Sequence, residues 1–354
     1  MITVDRYLAL QVAIGLAIAA AVLLPLFGFL DLLEQLDAVG KGTFEAQDAF
    51  LHMAFLLPRR FIQLAPFVAL LGNVIALGRL AVASELTALR AAGMSPIRIS
   101  MAPLGMGLIL LLFIALLEQF IAPQLQQKAI SWKAAALDKS ASLGKNLGIW
   151  TRDERNILRI GEMLHAGRAA DIEIMNFDKD GFLLAHIRAK HADFIDGDMW
   201  ELSEVTTRTF SENRIESVTA DSLKWKSFLN PEDISTLTKE PDSLSPVELF
   251  LHVRFLRATG QEAEAYALAL WRKAGAVLTT IAMLLLSIPF VFGSVRTGLG
   301  NRLVLAAMLG ISVYLLDQVF SNLGLLWHLN PALTALLPGA ILIALANVWL
   351  RRVF

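Results

Sequence analysis

The chain has 354 residues, of which 56% are hydrophobic and only 18% charged, a balance too apolar for an ordinary water-soluble domain. Its formal net charge of −1 gives no basis for nucleic-acid binding, which needs a strongly basic surface. No cysteine is present, which excludes disulfides, thiolate catalysis and cysteine zinc sites.

The first uncharged run is Leu8–Leu30. It follows Asp5 and Arg6, is longer than a leader's apolar stretch, and has no small-residue cleavage site after it, so it reads as a membrane span. An acidic segment comes next, in which Asp31, Glu34, Asp37, Glu45 and Asp48 surround Lys41 as the one cation. Arg59 and Arg60 then precede a second run, Phe61–Gly78, and a third follows at Ile99–Leu117.

Between the second and third runs lies RLAVASELTALRAAGMSP, residues 79–96. Ser84 suits a helix N-cap, Glu85 sits where the helix dipole favours an anion, and Gly93 with Pro96 beyond it marks a stop. Ser84 to Gly93 is therefore expected to be a helix of roughly two turns, too short to be stable in water unaided. Leu86 and Leu89 need burial, and Glu85 and Arg90 are left to meet a partner. Two readings stand at this point: a connector resting on lipid headgroups, or a docking helix that fits into another protein.

The middle of the chain is different. Residues 123–264 hold 41 of the 63 Lys, Arg, Asp and Glu side chains. Ile149–Arg152, Asn156–Ile160, Ile172–Phe177, Phe182–Phe194, Trp200–Phe210 and Thr219–Phe228 alternate or run apolar between turn signals such as DKDG (Asp178–Gly181) and IDGD (Ile195–Asp198). That pattern predicts a hairpin meander, an open antiparallel sheet or modest sandwich, joined to the membrane by helices at about Gln124–Ala141 and Ser245–Thr259.

Three more runs complete the chain: Ala274–Val295, Leu303–Leu329 interrupted by Asp317 alone, and Pro331–Leu350. Crossing the hydrocarbon takes about 20 helical residues, so six spans are expected. Arg6, Arg79, Arg90, Arg98, Arg296, Arg302, Arg351 and Arg352 all fall on one side of that layout, which the positive-inside rule makes cytoplasmic. Both termini are then cytoplasmic and the middle domain external. The expected organisation is residues 1–121 with three spans and the short cytoplasmic helix, 122–264 as an external all-β domain with helical connectors, and 265–354 with three spans.

Catalytic signatures are missing. The Gly-Lys pairs at 40–41 and 144–145 lack the upstream glycine of a phosphate loop, and no G-x-S-x-G, H-E-x-x-H or G-x-G-x-x-G occurs. His186 and His191, five apart on a strand, are expected on opposite faces and so not as a metal pair. Asp31 and Glu34 share a helix face, but nothing nearby completes an acid–base site. No catalytic residue, metal or cofactor is expected.

Six stretches together resemble one family: VDRY (Val4–Tyr7), LPRR (Leu57–Arg60), LGRLAVASELTALRAAG (Leu77–Gly93), APQ (Ala122–Gln124), WRK (Trp271–Lys273) and YLLDQVF (Tyr314–Phe320). In this order and spacing within a three-plus-three layout, the chain resembles the LptF/LptG permeases of the lipopolysaccharide export ABC transporter. The VDRY start and the LDQ of the fifth span point to the LptG branch. The sister LptF branch, a different mechanotransmitting permease and a membrane-anchored sugar or lipid enzyme are the alternatives.

The resemblance implies a six-span α-helical membrane protein with an inserted β-jellyroll-like periplasmic domain, in the bacterial inner membrane. It implies pairing with an LptF-like permease over an LptB-like ATPase dimer, and passage of lipopolysaccharide to LptC-like and LptA-like bridge proteins. It makes Ser84, Glu85, Leu86, Leu89 and Arg90 the ATPase-coupling helix, with Glu85 engaging the motor. Where relatives carry basic residues near the outer end of span 1, this sequence has Asp31, Glu34 and Asp37. The phosphate contact is therefore expected from Arg59 or Arg60, aided by Lys41. Neighbouring helix positions point about 100° apart, so at most one of those arginines should face a cavity. Asp317, 15 residues past Arg302, is expected about 22 Å up span 5, facing a cavity or partner.

Overall fold

Each uncharged run is carried by a helix in the computed structural model, which describes residues 2–137, 149–153, 155–165, 168–178, 181–196, 199–211, 214–227, 240–258, 261, 263–292, 298–327 and 329–353. Six helices are long and apolar enough to cross a membrane. The first three spans are α1 (Ile2–Leu36), α2 (Ala46–Val82) and α4 (Pro96–Leu116), with the short α3 (Glu85–Ala91) between the last two. α4 runs without a break through a π-turn, Leu117–Ile121, into α5 (Ala122–Ala136). After the β domain come α6 (Pro246–Ala258), then the spans α7 (Glu264–Phe292), α8 (Leu299–Leu326) and α9 (Pro331–Val353).

Local sequence explains the boundaries. Ser95 accepts a hydrogen bond from the Arg98 amide at 3.3 Å and Pro96 opens α4, the preferred cap and first-turn residues. Ser245 and Glu248 form a reciprocal capping box at the start of α6, at 2.8 and 3.3 Å. α2 is the axis of the bundle, since Val68, Leu70, Val74 and Leu77 are fully buried in the core that the helices share. α1 approaches α2 closely enough that a Cβ on Gly15 would lie 2.3 Å from the Gly72 carbonyl oxygen. Asn73 donates to Ser287 across α2 and α7 at 3.1 Å, in a site without water access. By contrast, large apolar side chains on α4 and α8, among them Leu108, Phe113, Met308 and Leu315, are exposed.

The inserted domain is one six-stranded antiparallel sheet in sequential order: β1 (Ile149–Arg152), β2 (Asn156–His165), β3 (Arg168–Phe177), β4 (Leu183–Asp196), β5 (Met199–Ser211) and β6 (Arg214–Lys226). The meander agrees with the sequence, but a jellyroll's Greek-key crossover is not found among the described residues. The expected connectors are α5 and α6; positions 138–141 and 259, and Phe228 of the last expected strand, lie outside the described residues, as do parts of both expected Asp-Gly turns.

A crease crosses this sheet. The cross-strand pairing skips Gly161, Asp171, Lys190, Glu204 and Asp221 in turn, and Asp171 and Glu204 are left-handed, with φ of 51° and 53°. The buried positions accordingly step by three there, Ala169 to Ile172, Ala189 to Ala192 and Leu202 to Val205, so one apolar face is kept on both sides of the bend. Only glycine fits at 161, because a Cβ would sit 2.8 Å from that of Asp171. The extra residue also restores the parity between His186 and His191. They lie on the same face, against expectation, yet no metal-ligand cluster forms among the described residues.

Candidate functional site

A cavity of about 710 Å³ opens between α2, the α4 π-turn, α7 and α8. Its apolar part is walled by Phe67, Ile114, Val277, Met283, Val313 and Tyr314. At the end where the chain leaves for the β domain, the wall becomes charged: Arg59 and Arg60 from α2, Glu118 from the π-turn, and Arg272 and Lys273 from α7. Opposite, α8 contributes Asp317 and Gln318, and the turn before α6 contributes Asp242.

These charges are organised. Arg59 meets Glu118 at 2.8 Å, and Lys273 binds the same carboxylate oxygen. Arg60 forks onto both oxygens of Asp31 on α1 and reaches Gln63 at 2.8 Å. Arg272 contacts Gln318 at 3.5 Å. Four cations line the wall beside Glu118, Asp242 and Asp317, and Arg60 is balanced by Asp31 outside it. An apolar chamber with such a rim suits an amphiphile that has acyl chains and an anionic head, because guanidinium and ammonium groups bind phosphate.

The expected substrate residues divide. Arg59 and Arg60 both line the cavity, although one was expected to turn away; side chains as long as arginine's reach round the helix further than their Cα directions suggest. Asp317 lines it too. Lys41 does not. It sits in an exposed turn after α1 whose neighbour Thr43 is tied to the Ala136 carbonyl at 2.8 Å. Glu118, Arg272 and Lys273 were missed as site residues. Glu118 borders an uncharged run, and WRK marked the resemblance without a role; only the fold brings positions 59, 118 and 273 together.

The second candidate site is α3, which ends where the sequence places the stop. Gly93 is left-handed with φ 89°, and the Met94 amide closes onto the Leu89 carbonyl at 3.0 Å, a Schellman-type end. The start differs. Ser84 is at the N-cap, but with φ 62° and ψ 8° and no side-chain cap. The chain reverses from α2 into α3 within two residues, and that turn leaves the hydroxyl off the helix amides it was expected to cap. Leu86 is buried in this chain's own core and Leu89 packs beside it, so neither awaits an outside pocket. Arg90 is exposed. The Tyr7 hydroxyl donates to Glu85 at 2.7 Å, and Asp5 pairs with Arg98 at 3.3 Å. The first turns of α1 are thus tied to α3 through Glu85 and to α4 through Arg98.

A third concavity, on the apolar face of the sheet, is lined by Leu158, Ile172, Trp200 and Trp225 but holds only about 10 Å³, room for no more than a water.

Comparison with known proteins gives one consistent result. The family model described as lipopolysaccharide export system permease LptF/LptG matches residues 6–352. The lipopolysaccharide export system permease protein LptG of Haemophilus influenzae is 28% identical over 349 residues, 98% of this chain and 97% of its own. The LptG protein of Escherichia coli K12 is 29% identical over the same shares.

Proposed function

This chain belongs to the LptF/LptG family of lipopolysaccharide export permeases, and from that premise we propose that it extracts lipopolysaccharide from the outer leaflet of the bacterial inner membrane. Its matched relatives are LptG proteins, which favours the LptG branch over LptF. In this reading both termini are cytoplasmic and the β domain is periplasmic, in keeping with the arginines on the α1 start, the α2–α4 connection and the α9 end. An LptF-like permease covers the exposed apolar flanks, an LptB-like ATPase dimer engages α3, and LptC-like and LptA-like proteins receive the lipid from the β domain. The chain supplies no catalysis of its own; the partner ATPase hydrolyses ATP.

The observation that carries this reading is the cavity. Its cationic rim lies on the β-domain side of the bundle and its apolar wall runs down between the helices. Lipid phosphates would meet Arg59, Lys273 and Arg272, while acyl chains would lie along Phe67, Val313 and Tyr314. Affinity purification from the native membrane tests the assembly. Recovery of an ATPase and a homologous second permease in stoichiometric amounts is expected; recovery of the chain without an ATPase contradicts the reading.

A further inference from the structure

The charged cluster has one feature that phosphate binding alone does not require. Arg59 from α2 and Lys273 from α7 converge on a single carboxylate, Glu118. The three side chains are 15%, 9% and 8% exposed, and the second Glu118 oxygen, Oε2, is buried with no hydrogen-bond partner among the described residues. Glu118 also sits in a π-turn, an insertion that often marks functional positions. A sealed bundle would be served by a matched pair. Two cations share that one carboxylate, with Asp242 acting on Lys273 from further off, so an anion brought to this wall finds cationic groups that Glu118 only partly satisfies.

We propose that Glu118 is a positioning residue that acts as an internal counter-anion: it keeps Arg59 and Lys273 at the cavity wall between transport events and competes with the phosphate of the bound lipid for them. The proposal rests on the cavity being the lipid site. An arriving phosphate takes the guanidinium bidentately and the ammonium as a point charge. Glu118 then loses its partners while its unpaired oxygen repels the newcomer, so the phosphate is received but not kept. A transport site must combine entry with exit, as conduction sites do by keeping binding weak enough to leave. Because the cluster bridges α2, the π-turn and α7, the exchange also releases three elements that Glu118 otherwise holds together.

The test uses the full complex with its ATPase and partner permease in nanodiscs, loaded with lipopolysaccharide or its enzymatically dephosphorylated form. Glu118→Gln keeps the shape and removes the competing charge. Retention of the phosphorylated lipid should rise about tenfold or more, given the strength of a charge pair at this distance and burial, and ATP-driven release should fall by a similar factor. The dephosphorylated lipid should be held as by wild type. Glu118→Asp, with a shorter reach, should show the same effect at about threefold, and it carries the test if the glutamine variant fails to assemble. Lys273→Ala should lower retention of the phosphorylated lipid only. A Glu118→Gln or Glu118→Asp complex that retains phosphorylated lipid no better than wild type overturns the proposal while Lys273→Ala still lowers retention. If Lys273→Ala also changes nothing for either lipid, the cavity reading beneath it fails as well.

Discussion

Glu85 and Leu86 are adjacent on α3, yet substituting them should damage different things. Leu86 is 5% exposed and packs into the membrane-bundle core, so Leu86→Ala should cost about 2–5 kcal/mol of stability. Leu86→Asp adds the burden of an unpaired buried carboxylate, several kcal/mol more, and should release the α3 end of the bundle. Glu85 is only partly buried and its one described hydrogen bond, from Tyr7, is on the surface. Glu85→Ala should therefore cost about 0.5–1.5 kcal/mol at most while removing the carboxylate through which the proposed ATPase coupling runs. The assay is paired: thermal unfolding of the purified chain by intrinsic fluorescence, and recovery of the ATPase in a pull-down at matched protein amounts. Glu85→Ala should melt like wild type and lose the ATPase; Leu86→Ala should melt early. Full ATPase recovery by Glu85→Ala, or an equal loss of melting temperature in both variants, would refute the division of labour.

Three further outcomes are expected. Ser84→Gly relieves a left-handed non-glycine residue, so it should raise stability by about 1 kcal/mol, read as a higher melting temperature; a lower one would show that the serine hydroxyl matters. Burial pushes the Asp171 carboxyl up, but hydrogen bonds from Arg188 and Arg159 outweigh it and hold it below its ordinary 3.8. Its contribution to the creased sheet is thus fully present above that value and is lost as pH falls below it through the depressed folded value; Asp171→Asn should flatten the acid limb of the melting profile, and an unchanged limb would contradict this. Asp317→Asn should impair lipid export if the charge in the cavity wall matters, measured as ATP-driven transfer from proteoliposomes, whereas wild-type transfer by asparagine with failure of leucine would assign the residue to hydrogen bonding.

The spans were legible because an uncharged helix of membrane length leaves few alternatives, and the α3 boundaries because Gly93 supplies a backbone conformation that few residues adopt. The strand meander followed from alternation, up to the crease. On β4 the pairing skips Lys190, between the left-handed Asp171 and Glu204 of the neighbouring strands, and no local preference of lysine announces that, so the odd spacing of His186 and His191 points to opposite faces. The cavity cluster was hidden for another reason. Arg59, Glu118 and Lys273 belong to three helices far apart in sequence, and a charge next to an apolar run looks the same whether it snorkels to headgroups or turns inward to a partner. Ser84 shows the limit of cap statistics, since the reversal between α2 and α3 decides its backbone.

Site-specific photo-crosslinking in living cells tests the central claim that the cavity holds lipopolysaccharide. A photoreactive residue at Val313 or Tyr314, on the cavity wall, should crosslink to lipopolysaccharide, and Arg59→Ala should weaken that adduct. The same probe at Leu108, on the exposed flank of α4 and absent from the cavity lining, should give little. Strong adducts at Leu108 with none at Val313 or Tyr314 would place the lipid outside the cavity and contradict the account.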